Sequence, residues 1–259
     1  VNATETEKTL LTRLELNAGY RLACLAYATK TARIEIAIPP ESEETQQRLV
    51  VAGFTPHVKL APAVEKLFVR LPLPTLNDIT ADLERLIEAL KKTGKLRSAD
   101  IGSNTLRELP DVLRIGNWHV TASVFSGREI VKVEPGDKRN HHYGFAIDIG
   151  TTKLAGYLVD LATGETISTV SSLNPQAKFG ADIISRITYA MRDDEALDEL
   201  NKSVVTGINA LAKEACQTAG IQTREIIDLA VAGNTAMHHI FLRISPRYLA
   251  HSPYPAALK

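Results

Sequence analysis

The sequence predicts an α/β protein, and three observations carry that prediction. Residues 143 to 172 read as three short apolar strands closed by tight turns. From about Glu195 to Gly220, Leu197, Leu200, Val204, Ile208, Leu211 and Ala215 recur in helical register, which suits a long helix that covers a sheet. A further apolar run, Ile227 to Ala232, then supplies a fourth strand.

In chain order, Thr31 to Ile38 alternates as a strand and stops at Pro39-Pro40, and the polar stretch Glu41 to Arg48 reads as a linker. Val64 to Leu73 is a second strand, closed by Pro72 and Pro74. Asn77 or Asp78 is placed to cap a helix from Ile79 to Lys92, whose Ile79, Leu83, Leu86, Ile87 and Leu90 share one face, and Gly94 stands where such a helix stops. Asn104 to Leu113 is a short helix. Val120 to Phe125 and Glu129 to Val133 pair across Ser126-Gly127-Arg128 as a hairpin, which makes this region a small α/β domain. Lys138 to His142 reads as a solvated connection, because adjacent imidazoles in an extended chain point to opposite sides and rarely share a metal. Strands over 143–149, 153–160 and 166–172 follow, the last two joined by the turn Ala162-Thr163-Gly164-Glu165. Gly180 to Met191 is helical, with Asp182 in its first turn, four residues before Arg186 on the same face.

Composition narrows the class. Thirty Lys and Arg balance thirty Asp and Glu over 259 residues, and the pI is about 7.2, so neither nucleic acid nor an anionic membrane is indicated as a partner. No run approaches the roughly 18 apolar residues of a spanning helix, and the first twenty residues lack the pattern of a signal peptide. Two cysteines without a pairing pattern suit a reducing compartment, so a cytoplasmic protein is expected.

The chemistry concentrates in Phe145-Ala-Ile-Asp148-Ile-Gly150-Thr151-Thr152, where a strand ends in a carboxylate, a glycine and two hydroxyls. Thr151 and Thr152 offer hydroxyl and backbone N–H donors to phosphate oxygens, Lys153 follows them, and Gly150 lets the backbone come close to a ligand. Asp148 is the candidate catalytic group and holds Mg²⁺ through its water shell. The plainer alternative is a strand end whose Asp and Thr satisfy turn backbone. Gly233, Asn234 and Thr235 close the later strand and can approach the same ligand, although Asn234 also suits a simple helix cap. Cys216 lies in a helical pattern and reads as core.

The meander behind this turn resembles the actin, Hsp70 and sugar-kinase superfamily, whose ATPase domain begins with such a strand and hairpin. Leu173-Asn174-Pro175-Gln176, Phe179 to Ile187 and Ala230 to His239 narrow the resemblance to reductive activators of corrinoid proteins. The resemblance implies an α+β middle domain followed by the first, RNase H-like half of an actin-like ATPase domain. It also implies ATP and Mg as cofactors, and ATP-dependent reduction of Co(II) to Co(I) in a corrinoid protein of a methyltransferase system. A low-potential electron donor acts through a [2Fe-2S] cluster, and the middle domain can help form a homodimer. Arg21-Leu22-Ala23-Cys24 resembles the end of a plant-type ferredoxin domain, which makes Cys24 a cluster ligand of the parent in preference to the small buried hydrophobe that residue chemistry alone also allows.

The domain boundaries expected are 1–38 for the ferredoxin remnant, 39–62 for a linker, 63–140 for the middle domain and 141–259 for the N-terminal half of the ATPase domain. A second phosphate loop and an adenosine loop are not found after Ile221, so the chain reads as an internal piece, inactive alone. Two other classes stay open: a small-molecule kinase of the same superfamily, and a non-catalytic ATP-binding scaffold.

Overall fold

The structure, a computed structural model, describes residues 4–22 and 59–258. The chain divides into two compact units, Val1–Val50 and Val51–Lys259. Cys24, the strand expected over 31–38 and the linker expected over 41–48 lie outside the described residues.

The first unit carries two short helices that the sequence reading passed over, α1 (Glu5–Leu10) and α2 (Arg13–Asn17). Each starts with a reciprocal cap. Thr4 Oγ1 accepts from the Glu7 N–H at 3.2 Å while Glu7 accepts from the Thr4 N–H at 2.8 Å, and Thr12 with Glu15 repeats the pattern at 3.3 and 2.7 Å.

In the second unit, β1 (Val64–Arg70), β2 (Asp100–Ile101), β3 (His119–Phe125) and β4 (Glu129–Pro135) form a sheet in the order β1-β3-β4-β2. β3 pairs antiparallel with β1 and β4, and β2 runs parallel to β4. Helices α3 (Asp82–Lys91) and α4 (Ser103–Ile115) pack on it through Leu86, Leu90, Leu109 and Leu113, against Val120 and Ile130.

Two boundaries differ from expectation. β1 ends at Arg70: the Leu71 N–H still reaches the Trp118 carbonyl at 2.8 Å, but Trp118 gives its own N–H to the Leu113 carbonyl at 2.8 Å and Pro72 has no N–H to offer. α3 starts at Asp82, because Asp78 is occupied elsewhere: it accepts from Thr80 N at 3.2 Å and holds the buried Arg85 guanidinium at 2.7 Å. Ile79 therefore leaves the helical stripe and stands 94% exposed.

The second sheet has the order β7-β6-β5-β8, from β5 (Tyr143–Ile149), β6 (Lys153–Asp160), β7 (Thr166–Leu173) and β8 (Ile226–Gly233). β5, β6 and β7 form the antiparallel meander, and β8 lies parallel to β5. Helices α5 (Ile183–Ala190), α6 (Asp194–Ala219) and α7 (Thr235–Phe241) complete this layer. α6 buries all six residues of the expected stripe in the same cluster as Phe145, Ile147, Ile149, Leu154 and Leu158. It approaches closely at Gly207, where an added Cβ would meet Leu154 and Pro175 side-chain atoms at 3.0 Å. Asp193 caps its start at 2.7 Å from the Ala196 N–H, and Gly220, at φ +69°, ends it. Cys216 is buried in this core, and burial pushes its thiol pKa up. This is the RNase H-like half of an actin-type domain that the sequence predicts.

The two sheets meet at a polar seam. Lys132 Nζ donates to the Arg224 carbonyl at 2.6 Å, His141 Nδ1 pairs with Glu225, and His142 Nε2 lies 2.8 Å from the Val64 carbonyl. His142 is buried, so the expected solvated run at 138–142 is corrected: the strand that follows draws His142 into the joint. Beside it Lys66, whose side chain is 1% exposed, pairs with Glu134 at 2.7 Å.

Candidate functional site

β5 and β8 run parallel and in register, Ile147 opposite Val231 and Ile149 opposite Gly233, so their carboxyl ends deliver two turns to the same edge. That is where open α/β sheets accept ligands. The turn after β5 is Gly150-Thr151-Thr152, and the turn after β8 is Gly233-Asn234 at the start of α7.

Side chains alternate across β5, which sends Phe145, Ile147 and Ile149 into the α6 core and Ala146 and Asp148 to the opposite face. Asp148 is exposed and lies opposite Ala155 in β6 and Ala232 in β8. Ala146 and Ala230 pair one step back. Four methyl groups around one carboxylate leave this face open above Asp148. Lys153 has the same parity as Ala155 and stands on the same face.

Gly150 is required for a reason internal to the chain. A Cβ there would sit 2.6 Å from the Lys153 carbonyl oxygen, so the turn closes only on glycine. Gly233 is a milder case, its added Cβ falling 3.2 Å from the Ile149 carbonyl. Asn234 does both things its sequence allowed. Its Oδ1 caps α7 by accepting from Met237 N at 3.0 Å, and its Nδ2 reaches Thr151 Oγ1 at 3.4 Å, so the two turns touch. Thr235, exposed, gives its carbonyl to His239 Nδ1 at 2.7 Å. His239 is buried and its Nε2 accepts from Ala257 N at 3.1 Å, so both ring nitrogens are spent on backbone. His238 Nε2 is buried without a hydrogen-bond partner among the described residues.

Sequence reasoning missed a layer of polar side chains under these turns. Asn174 and Gln176, each 1% exposed, follow β7 directly. Gln176 Nε2 donates to the Leu200 carbonyl of α6 at 3.0 Å. Arg186 is fully buried, donates through Nε to the Gly180 carbonyl at 2.9 Å, and leaves Nη2 unpaired among the described residues. Its burial pushes the guanidinium pKa down, with Asp182 opposing. Asp182 sits one position outside α5 as its N-cap, accepting from the Ser185 N–H at 2.9 Å, and the Ser185 N–H and hydroxyl hold its pKa below the ordinary value. The Asn-Pro-Gln triplet at a strand end was the available signal.

The donor set fits a magnesium nucleotide. Two threonine hydroxyls, turn N–H groups and an amide lie on these two adjacent turns, and these are the donor types that phosphate oxygens take. Asp148 is a single carboxylate, and no group of three or more His, Cys, Asp or Glu able to hold a metal occurs among the described residues. Mg²⁺ commonly takes one or two carboxylates, with water and phosphate filling the rest. An iron–sulfur cluster has no such donor set among the described residues, where Cys216 is core. No helix among them is long and apolar enough to cross a membrane.

Two family models match the chain, the RACo linker region over residues 55–140 and the RACo middle region over residues 143–259. The corrinoid activation enzyme RamQ of Eubacterium limosum is 32% identical over 152 residues, which is 58% of this chain and 26% of RamQ. A solved structure described as a reductive activator for corrinoid,iron-sulfur protein superposes with a TM-score of 0.67 at 36% identity, covering 78% of this chain and 33% of that one. The chain thus spans about a quarter of the curated relative and a third of the solved one.

Proposed function

Because the chain belongs to the RACo family, matching its linker region over residues 55–140 and its middle region over residues 143–259, we propose that the protein it forms part of reductively activates a corrinoid protein. The reaction is a one-electron reduction of substrate cobalt from Co(II) to Co(I). The electron comes from a low-potential donor through a [2Fe-2S] cluster, of which Cys24 is one ligand. The match to both RACo regions carries this reading, and the joined turns at the carboxyl ends of β5 and β8 support its ATP-dependent part.

Bound MgATP would supply the phosphoanhydride whose hydrolysis drives the cycle. The chain's own residues have separable tasks. Gly150 would let the turn come close, Thr151 and Thr152 would orient phosphate oxygens, Lys153 would add positive charge on the same face, and Asp148 would hold Mg²⁺ through its water shell and serve the hydrolysis step. Asn234 and Thr235 close the site from β8. The nucleotide can move the electron-transfer equilibrium only by binding two states of the protein with different affinity. Each tenfold in that equilibrium offsets about 59 mV for a one-electron step.

The test is the visible spectrum of a Co(II) corrinoid protein mixed anaerobically with the full-length, cluster-loaded protein and a low-potential reductant, with and without MgATP. Conversion to Co(I) that requires MgATP is expected. Asp148→Ala should abolish both conversion and hydrolysis while leaving the fold and the cluster spectrum intact. Conversion without ATP, or wild-type turnover in the variant, would overturn the assignment.

A further inference from the structure

Asn174 is 1% exposed, and each of its polar atoms has a backbone partner, with Nδ2 also 3.5 Å from Gln176 Oε1. Its N–H donates to the Thr152 carbonyl at 2.8 Å and its Nδ2 to the Gly150 carbonyl at 2.7 Å. Its Oδ1 accepts from Gln176 N at 2.9 Å, and its carbonyl accepts from Ala177 N at 3.0 Å. One residue therefore holds two of the three carbonyls of the Gly150–Thr152 turn from behind. The turn beginning at Asn174 is itself fixed to α6 through Gln176 and the Leu200 carbonyl.

A trans peptide is planar, so its N–H points opposite its C=O. Directing the Gly150 carbonyl at Asn174 directs the Thr151 N–H away from it. Among the described residues no carbonyl accepts from the Thr151 or Thr152 N–H, which leaves these donors for a ligand. We propose that Asn174 is the positioning residue of the phosphate turn: its side-chain amide sets the Gly150–Thr151 peptide orientation that presents the Thr151 N–H to anionic oxygens. A donor preset in this way needs no reorganisation when the anion arrives. Local sequence does not show this, since Asn174 follows Gly150 by 24 residues and meets it only because β5, β6 and β7 fold as a meander.

The inference rests on the nucleotide reading of this site, and its test separates the two. Asn174→Ser retains a hydroxyl that can accept from Gln176 N but loses the amide donor to Gly150. Asn174→Asp retains the acceptor and sets a carboxylate oxygen against the Gly150 carbonyl. In the full-length protein, hydrogen–deuterium exchange without nucleotide should rise over residues 148–154 in both variants and stay unchanged over β7 and α6. Titration should show MgATP and MgADP binding weakened by about tenfold in Asn174→Ser, as expected for one buried hydrogen bond, with the larger loss in Asn174→Asp. Adenosine affinity, which does not use these donors, should be unchanged. Wild-type exchange over 148–154 in folded variants would overturn the proposal, and so would equal loss of adenosine and MgATP binding. Should one variant fail to fold, the other decides. Should the wild type bind no MgATP, the nucleotide reading falls while the exchange data still decide whether Asn174 orients the turn.

Discussion

Replacing Gly150 with alanine is the sharpest single test of the turn, because its consequence follows from one distance. The new Cβ would stand 2.6 Å from the Lys153 carbonyl oxygen, against 3.4 Å at the near end of ordinary van der Waals contact, so some 0.8 Å must be found (3.4 − 2.6). The carbonyl is backbone at the start of β6, where Lys153 pairs with Leu173, and Asn174 holds the two flanking turn carbonyls. No flexible side chain can give way. Forcing extra volume into a closed site costs about 1–3 kcal/mol, and a displacement near 1 Å at a positioning group can cost about 10²-fold in rate. Gly150→Ala should therefore fold with a lower urea midpoint and lose about two orders of magnitude in kcat/KM for MgATP hydrolysis. Denaturation followed by circular dichroism and a phosphate-release assay measure the two parts. Turnover within about twofold of wild type in the folded variant would refute the steric argument.

Gly220→Ala makes the contrasting case. The position has φ +69° with nothing within 4 Å of an added Cβ, so the variant should lose about 1 kcal/mol of stability in urea titration and keep wild-type hydrolysis. Glu134→Gln strands Lys66, whose side chain is 1% exposed, and should cost about 3 kcal/mol, the low end for a broken buried pair since Glu134 keeps 15% exposure. Burial pushes the Glu134 carboxyl up, but Lys66 and Lys132 more than reverse this and hold it below its ordinary value. Its contribution is therefore present at neutral pH and lost on acidification. Asp78 is lowered from 3.8 to about 2, first by the Arg85 guanidinium and then by Thr80. A lowered carboxylate stabilises fully above its unfolded pKa and stops doing so as pH falls through the folded one, so thermal stability should drop between pH 3.8 and about 2. Asp78→Asn should flatten that part of the Tm–pH curve; an unchanged curve would remove Asp78 from the acid response.

What could be read from sequence was whatever repeats locally. The alternation of β5 and the six-residue stripe of α6 are periodic patterns, and both elements form over nearly the predicted residues. The strand-end positions of Asp148, Gly150 and Asn234 were legible because a strand end with small and hydroxylated neighbours is a short-range signal. Ile79 was misplaced because Asp78, which looks like a helix cap, is claimed by Arg85 seven residues on. The Thr-x-x-Glu pairs at Thr4 and Thr12 were legible capping signals that went unread. His142, Gln176 and Arg186 are polar residues whose burial depends on partners 10 to 78 positions away, and no window along the chain contains that information.

The pairing of β5 with β8, in register from Gly144 to Ile149 and shifted at Tyr143, bears on how a small chemical event is felt far off. At one end of this pair lie the Gly150 and Gly233 turns; at the other, Tyr143 faces Ile226, immediately beside His141, Glu225 and Arg224 of the seam. Seven residues at about 3.3 Å each separate the two ends by roughly 20 Å. Paired in register from Gly144 with Asp228 to Ile149 with Gly233, the two strands resist shear, so a displacement of β8 along β5 at the turns would move Glu225 against His141. Any such displacement would reach the first sheet where Glu225 meets His141 and where the Arg224 carbonyl accepts from Lys132.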